Sequence, residues 1–273
     1  MTSRIAPRTA ATLTALVGLA VAGCSSQPEA APSPGAESVE GLATPGTLVV
    51  ATEGTYRPFS FHEGGSGELT GYDVEIVQAV ADELGLEVRF EETQWDAIFA
   101  GLDAGRFDVI ANQVSITPER EEQYTFSTPY TVSTGVVVVR ADDTSISSFE
   151  DLDGRTAAQS LTSNWKALAE ESGATIEAVE GWAQSVALVE QRRVDATIND
   201  RLTFLDHAKT SDASGLKIAA ETEEESLSAF AFAKEDTALA EAFDEALETL
   251  AEDGTLAEIS EKYFGEDVSG SRS

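Results

Sequence analysis

Beyond Thr47 the chain alternates between two hydrophobic rhythms. Short runs rich in Val, Ile and Thr read as strands, and longer stretches with apolar residues every three or four positions read as helices. Leu48 to Thr52 is the first strand. After a glycine-rich hairpin tip at Gly64-Gly65-Ser66-Gly67, Asp73 is placed to cap a helix whose apolar stripe is Val74, Val77, Val80, Ala81 and Leu84. Gly85 stops it. A strand from Val88 to Glu91, a helix from Asp96 to Ala104 and a strand from Val109 to Ala111 follow. The continuous apolar run Gly135 to Val139 reads as a strand buried on both faces.

A second set of alternating elements comes next. Thr156 to Ala158 is extended, Asn164 to Ser172 helical behind Ser163 as cap, Thr175 to Val179 extended and Trp182 to Gln191 helical. Ala196 to Ile198 is then extended, Leu202 to Lys209 helical and Leu216 to Ile218 extended. A strand from Ala229 to Ala233, an amphipathic helix from Thr237 to Asp253 closed by Gly254, and a last helical turn near Tyr263 finish the pattern. Such alternation specifies an α/β fold on a mostly parallel sheet. Two extended crossings, near Val132 to Arg140 and near Ser226 to Ala233, predict two lobes about a hinge and a ligand cleft between them. The first lobe is expected to comprise residues 47–133 plus 230–267 and the second 134–229, with 268–273 as a disordered tail.

The N-terminal segment changes the compartment. Arg4 and Arg8 precede an uncharged run from Ala10 to Ala22, the n-region and h-region of an export signal, too short to span a bilayer. Val21-Ala22-Gly23-Cys24 resembles the lipobox of bacterial lipoproteins, so residues 1–23 read as a signal peptide and Cys24, the one cysteine, as the lipidated residue. Residues 24–46 are rich in Ser, Pro, Ala, Gly and Glu and read as a tether that holds the folded part beside a membrane. Loss of Arg4 and Arg8 would leave 15 of the 17 basic residues against 49 acidic ones, a formal charge of −34 rather than −32. That surface excludes nucleic acid as a partner and excludes electrostatic attachment to anionic lipid.

Catalytic chemistry is scarce. His62 and His207 stand apart, and no metal-ligand spacing, nucleophile elbow or phosphate loop occurs, so no catalytic residue, metal or cofactor is expected. Polar residues gather instead behind predicted strands. Asn112-Gln113-Val114-Ser115-Ile116-Thr117-Pro118-Glu119-Arg120 offers main-chain N–H groups and a guanidinium to a carboxylate, and Asn199-Asp200 offers a carboxylate to an ammonium group. Gln159-Ser160-Leu161-Thr162-Ser163 opens a helix, and Tyr56 and Trp95 are aromatic walls. Each admits a plainer role: Arg120 as a partner of Glu119 or Glu121, Asp200 as a helix cap, the aromatics as core. Together they describe a pocket for a zwitterionic α-amino acid.

Gly54-Thr55-Tyr56-Arg57-Pro58-Phe59-Ser60-Phe61, Leu69-Thr70-Gly71-Tyr72-Asp73, Gly105-Arg106-Phe107-Asp108-Val109, Ser115-Ile116-Thr117-Pro118-Glu119-Arg120 and the run Gly254 to Gly265 resemble the polar amino-acid solute-binding proteins of ABC importers, family 3. The resemblance implies a two-lobed fold of the type II periplasmic-binding-protein class, with a permease and its ATPase subunits as partners. It implies that Arg120 clamps the ligand α-carboxylate with Ser115 and Thr162, that Asp200 takes the α-ammonium, that Tyr56 and Trp95 enclose the side chain and that Glu53 tunes specificity. Asn112 and Gln113 stand where many members have small residues, and Ser160-Leu161 where they have glycine. The strings Gln159 to Asn164, Val179 to Gln184 and Ala111 to Val114 are similar to cystine-binding members, and Glu53, Asn112 and Gln113 would then serve the far amino-acid end. The alternatives from the same fold are an exported enzyme similar to cyclohexadienyl dehydratases and a ligand-sensing subunit.

Overall fold

The computed structural model describes residues 39–211 and 215–270, so Cys24, the export signal and residues 24–38 of the expected tether lie outside the described residues. The chain opens with β1 (Thr47–Thr52), β2 (Thr55–Tyr56), β3 (Ser60–His62) and β4 (Leu69–Thr70), of which the last three form a small antiparallel sheet. α1 (Tyr72–Leu84) starts at Gly71, whose φ of 137° and close approach to Phe59 exclude a side chain: a Cβ there would lie 2.2 Å from the Phe59 carbonyl oxygen. Asp73 is therefore not the cap. The first helical N–H groups, on Tyr72 and Asp73, donate to the carbonyls of Pro58 and Phe59, and the Asp73 carboxylate turns into the interior.

The first half continues with β5 (Glu87–Glu92), α2 (Trp95–Asp103), β6 (Val109–Ser115), α3 (Pro118–Glu121) and β7 (Tyr124–Phe126). β6 runs four residues past the expected end at Ala111, so Asn112, Gln113 and Ser115 belong to a strand and not to the loop behind it. They are buried because each finds partners inside the protein. The chain then crosses through β8 (Thr131–Arg140) into β9 (Thr156–Gln159), α4 (Asn164–Glu171), β10 (Thr175–Ala178), α5 (Trp182–Glu190), β11 (Ala196–Asp200) and α6 (Arg201–Thr210). It returns through β12 (Leu216–Ala233) to α7 (Thr237–Glu252) and α8 (Thr255–Phe264).

The main sheet runs β10-β9-β11-β8-β12-β6-β1-β5, with β7 also on β12. β5, β1 and β6 pair in parallel at one end and β10, β9 and β11 at the other, while β8 and β12 are antiparallel partners that join the two ends. The segments Leu216 to Ile218 and Ala229 to Ala233, expected as separate strands, are one strand: the acidic stretch between them has no apolar alternation to reveal it, yet Glu221 and Glu225 still pair with β8.

Each half carries a core on both faces of its sheet. Val136 and Val138 enter one cluster with Val186, Val189 and Phe204, and Val137 and Val139 enter another with Ile146, Leu152 and Ile198, which is the two-faced burial expected of that run. In the first half Phe59, Tyr72, Ile76, Phe230, Phe232 and Phe243 fill one face and Trp95, Ile98, Leu102 and Ile110 the other. Each such side chain contributes about 1.5–3 kcal/mol. Three expectations are corrected at the ends. Val39 and Leu42 pack on the first core and the Ala43 N–H donates to Asp108, so residues 39–46 are seated rather than tether. Val268 and Ser269 are buried, with the Val132 N–H on the Val268 carbonyl, so the tail beyond 267 begins as a strap on β8. The last helical turn is a ten-residue helix held by Leu256, Ile259 and Phe264.

Candidate functional site

A cleft of about 420 Å³ opens between the two halves. The first half supplies Glu53 from the end of β1, Tyr56 from β2, Trp95 from the start of α2, and Asn112 and Gln113 from β6. The second half faces them with Ser160, Asn164 and Trp165 before and within α4, with Glu180 to Gln184 at the start of α5, and with Asn199 from β11. Gly135 makes room for this wall: a Cβ there would sit 2.4 Å from the Trp165 ring.

Of the residues expected from sequence, Glu53, Tyr56, Trp95, Asn112 and Gln113 line the cleft, whereas Arg120, Ser115, Thr162 and Asp200 do not. Arg120 sits in α3, behind Thr117 as N-cap and Pro118. It is 9% exposed; its guanidinium donates to the carbonyls of Ser115 at 2.9 Å and Thr162 at 3.3 Å and lies 5.4 and 5.3 Å from the rings of Trp95 and Phe99. No carboxylate pairs with it among the described residues, and burial pushes its pKa down to about 10. Asp200 is the N-cap of α6, accepting from the Leu202 N–H and the Ser133 hydroxyl at 2.8 Å each. It is 4% exposed and makes no ion-pair contact among the described residues; burial pushes it up to about 6, although the neighbouring Arg201 charge and the hydrogen bonds from Ser133 and Leu202 pull the other way. The capping role and the buried-charge role therefore coexist in one side chain.

Glu53 is braced by Asn112, whose Oδ1 accepts the Glu53 N–H at 2.9 Å and whose Nδ2 donates to the carboxylate at 2.7 Å; burial still pushes it up to about 7. Trp95 Nε1 and Gln113 Oε1 are buried without a partner among the described residues. Contacts also cross between the halves. The Thr162 N–H and hydroxyl donate to Asp96 at 3.1 and 2.8 Å, the Tyr56 hydroxyl donates to Asn199 at 2.9 Å, and Arg57 meets Asp206 at 3.3 Å. Thr162 is thus held by a first-half carboxylate rather than turned to the cleft.

Sequence reasoning missed Glu92, Gln94, Trp165, Glu180 and Trp182 as wall residues. The strings around Glu180 and Trp182 stood out only by resemblance, because nothing local marks a helix N-terminus as facing a cleft. Every charged side chain on the wall is a carboxylate: Glu53, Glu92 and Glu180. Among the described residues no cluster has the make-up of a metal site, and no helix is long and apolar enough to cross a membrane.

The buried carboxyls predict a pH response. Glu53, Asp73 and Asp200 hold their protons more tightly folded, at about 7, 7 and 6, than at their ordinary values of 4.5, 3.8 and 3.8. The stability linked to their protonation is full below those ordinary values and is lost as pH rises through 6 to 7. Asp151 and Asp253, whose pKa values are lowered by hydrogen bonds, act only at more acid pH. The melting temperature of the ligand-free protein is expected to rise by several degrees from pH 8 to pH 5, and a fall over that window contradicts the assignment.

Comparison with known proteins follows the same lines. The profile of bacterial extracellular solute-binding proteins, family 3, matches residues 48–266. The L-cystine-binding protein TcyA of Bacillus subtilis is 51% identical over 224 residues, 82% of this chain and 83% of that protein. An ancestral arginine-binding protein bound to arginine superposes with a TM-score of 0.75 at 34% identity, over 81% of this chain and 99% of that one. The L-cystine solute receptor of Neisseria gonorrhoeae, in the unliganded open conformation, is more alike in sequence at 46% but superposes less well, at 0.55, over 82% and 94%. The match spans nearly the whole folded chain, and the role of the molecule is to bind a solute outside the cytoplasm. The chain belongs to the bacterial extracellular solute-binding proteins, family 3.

Proposed function

We propose that this protein captures L-cystine between two hinged lobes and delivers it to an ABC permease and its ATPase subunits, held to the membrane by lipid on Cys24. Residues 47–133 with 230–267 would form one lobe and 134–229 the other. The observation that carries the reading is a pair of buried groups of opposite charge, Arg120 and Asp200, one from each half, neither of which makes an ion-pair contact among the described residues. Unpaired buried charge is costly to a fold unless a ligand neutralises it. Arg120 retains free N–H donors beyond the two it uses, enough for a carboxylate, with Ser115 and Thr162 beside it. Asp200 would take the α-ammonium.

The wall of Tyr56, Trp95, Asn112 and Gln113, together with Glu53, Glu92 and Glu180, supports a long ligand whose far end carries an ammonium group. The name of the Bacillus subtilis relative supports cystine in particular. Closure is supported by the contacts from Asp96, Tyr56 and Arg57 to the other half, and by the better superposition on an arginine-bound relative than on an open receptor of higher identity. Binding the closed form more tightly than the open one is what shifts the population.

A thermal-shift panel of L-cystine, L-cysteine, L-arginine and L-glutamine tests this. L-Cystine at a hundred times its Kd is expected to add about 2.7 kcal/mol and raise the melting temperature by several degrees. A panel in which no amino acid shifts the transition overturns the reading; a shift by arginine alone keeps the class and rejects cystine.

A further inference from the structure

Beneath the cleft lies a carboxylate that the binding cycle above does not use. Asp73 is fully buried and accepts two hydrogen bonds from one residue, from the main-chain N–H of Gln113 at 2.6 Å and from its Nε2 at 2.8 Å. The same Nε2 donates at 2.9 Å to Thr131, the first residue of the crossing strand β8. At Gln113 the backbone is left-handed, with φ of 49°, a conformation that a residue bearing a side chain holds only when its surroundings impose it. The ladder is irregular here as well. β6 advances from Ile110 to Val114 while its partner β12 moves only between Ala231 and Ala229, so β6 bulges across Asn112 and Gln113. Bulges beside binding sites re-aim side chains, and both of these residues line the cleft.

The bulge is tied to Glu53 in turn, because both amide atoms of Asn112 bond to it. Contacts therefore run without a break from Asp73 through Gln113 and Asn112 to Glu53. An Asp carboxyl is the side chain of this size that can turn an acceptor oxygen to each of the two Gln113 donors. Its burial raises its pKa to about 7, a penalty that an apolar residue packed in the same place would not incur.

We propose that Asp73 is a positioning residue for ligand recognition, which acts by holding the left-handed bulge of β6 so that Asn112 and Gln113 face the ligand. The proposal rests on the reading of the cleft as the ligand site. L-Cystine serves as the probe. In calorimetry Asp73→Asn, which keeps the shape but turns one acceptor into a donor, is expected to raise Kd at least tenfold while the melting temperature stays within a few degrees of wild type. Phe243→Leu is the control: it leaves a void in the apolar core under α7, away from the cleft, lowers the melting temperature and leaves Kd within twofold. Wild-type affinity in Asp73→Asn, or an equal loss in Phe243→Leu, overturns the proposal. If Asp73→Asn does not fold, Asp73→Ser decides, because its one hydroxyl oxygen cannot serve both Gln113 donors and the cleft wall keeps its own residues; wild-type Kd there also overturns it. A wild-type chain that binds no amino acid defeats the cleft reading itself, which separates the two failures.

Discussion

Calorimetry on Arg120→Ala is expected to show no detectable binding of L-cystine under conditions where the wild-type chain titrates. The guanidinium is a cation buried against Trp95 and Phe99, and the protein answers it with two main-chain carbonyls and no carboxylate among the described residues. A ligand carboxylate would meet it away from water, where an ion pair is strong and its loss leaves a charge stranded. Removing one partner of such a pair costs roughly 3–5 kcal/mol, a loss of hundreds-fold or more in affinity. Arg120→Lys keeps the charge but gives up the planar fork, so it is expected to bind between the two. Near-native affinity in Arg120→Ala would refute the carboxylate assignment. A lower melting temperature alone would not, since the variant also leaves the Ser115 and Thr162 carbonyls without a donor.

Asp200→Asn separates charge from structure at the opposite pole. Asparagine caps a helix about as well as aspartate, so the bond to the Leu202 N–H and the start of α6 survive. What disappears is the negative charge that would face the ligand ammonium, and affinity is expected to fall at least a hundredfold. Stability is expected to move the other way. Burial holds the Asp200 carboxyl up at about 6, so near neutral pH the folded state carries a charge it would shed readily, and a neutral amide relieves that cost. Weaker binding with an equal or higher melting temperature is the signature of a recognition residue. Unchanged affinity would reduce Asp200 to a helix cap.

Much of the architecture is legible in the order of residues. Val136 to Val139 announce a strand buried on both faces, because an unbroken apolar run has no solvent side. Ser163 marks a helix start through its hydroxyl, which accepts the Trp165 N–H, and Gly85 and Gly254 mark helix ends through left-handed backbone. Asp73 misleads for a physical reason: a carboxylate at the start of a helix looks the same whether it caps the first turn or points into the core. Only the carbonyls of Pro58 and Phe59, which satisfy the first N–H groups, decide between the two. The site divides in the same way. Glu53, Tyr56, Trp95, Asn112 and Gln113 line the cleft, whereas Thr162 is drawn to Asp96 by a contact across 66 residues of chain that no local pattern encodes.

The residue pattern alone determined the alternation of strands and helices, the two-set order along the chain, the excess of acid and the types of side chain available to hold a zwitterion. Those are properties of neighbours in the chain, set by periodicity, capping and charge. The bulge in β6, the burial of Arg120 and Asp200 without an ion-pair contact among the described residues, and the gathering of Trp165, Glu180 and Trp182 opposite Glu53 were decided by tertiary structure. Each depends on desolvation and on contacts between distant segments, and neither exists until the two halves have packed.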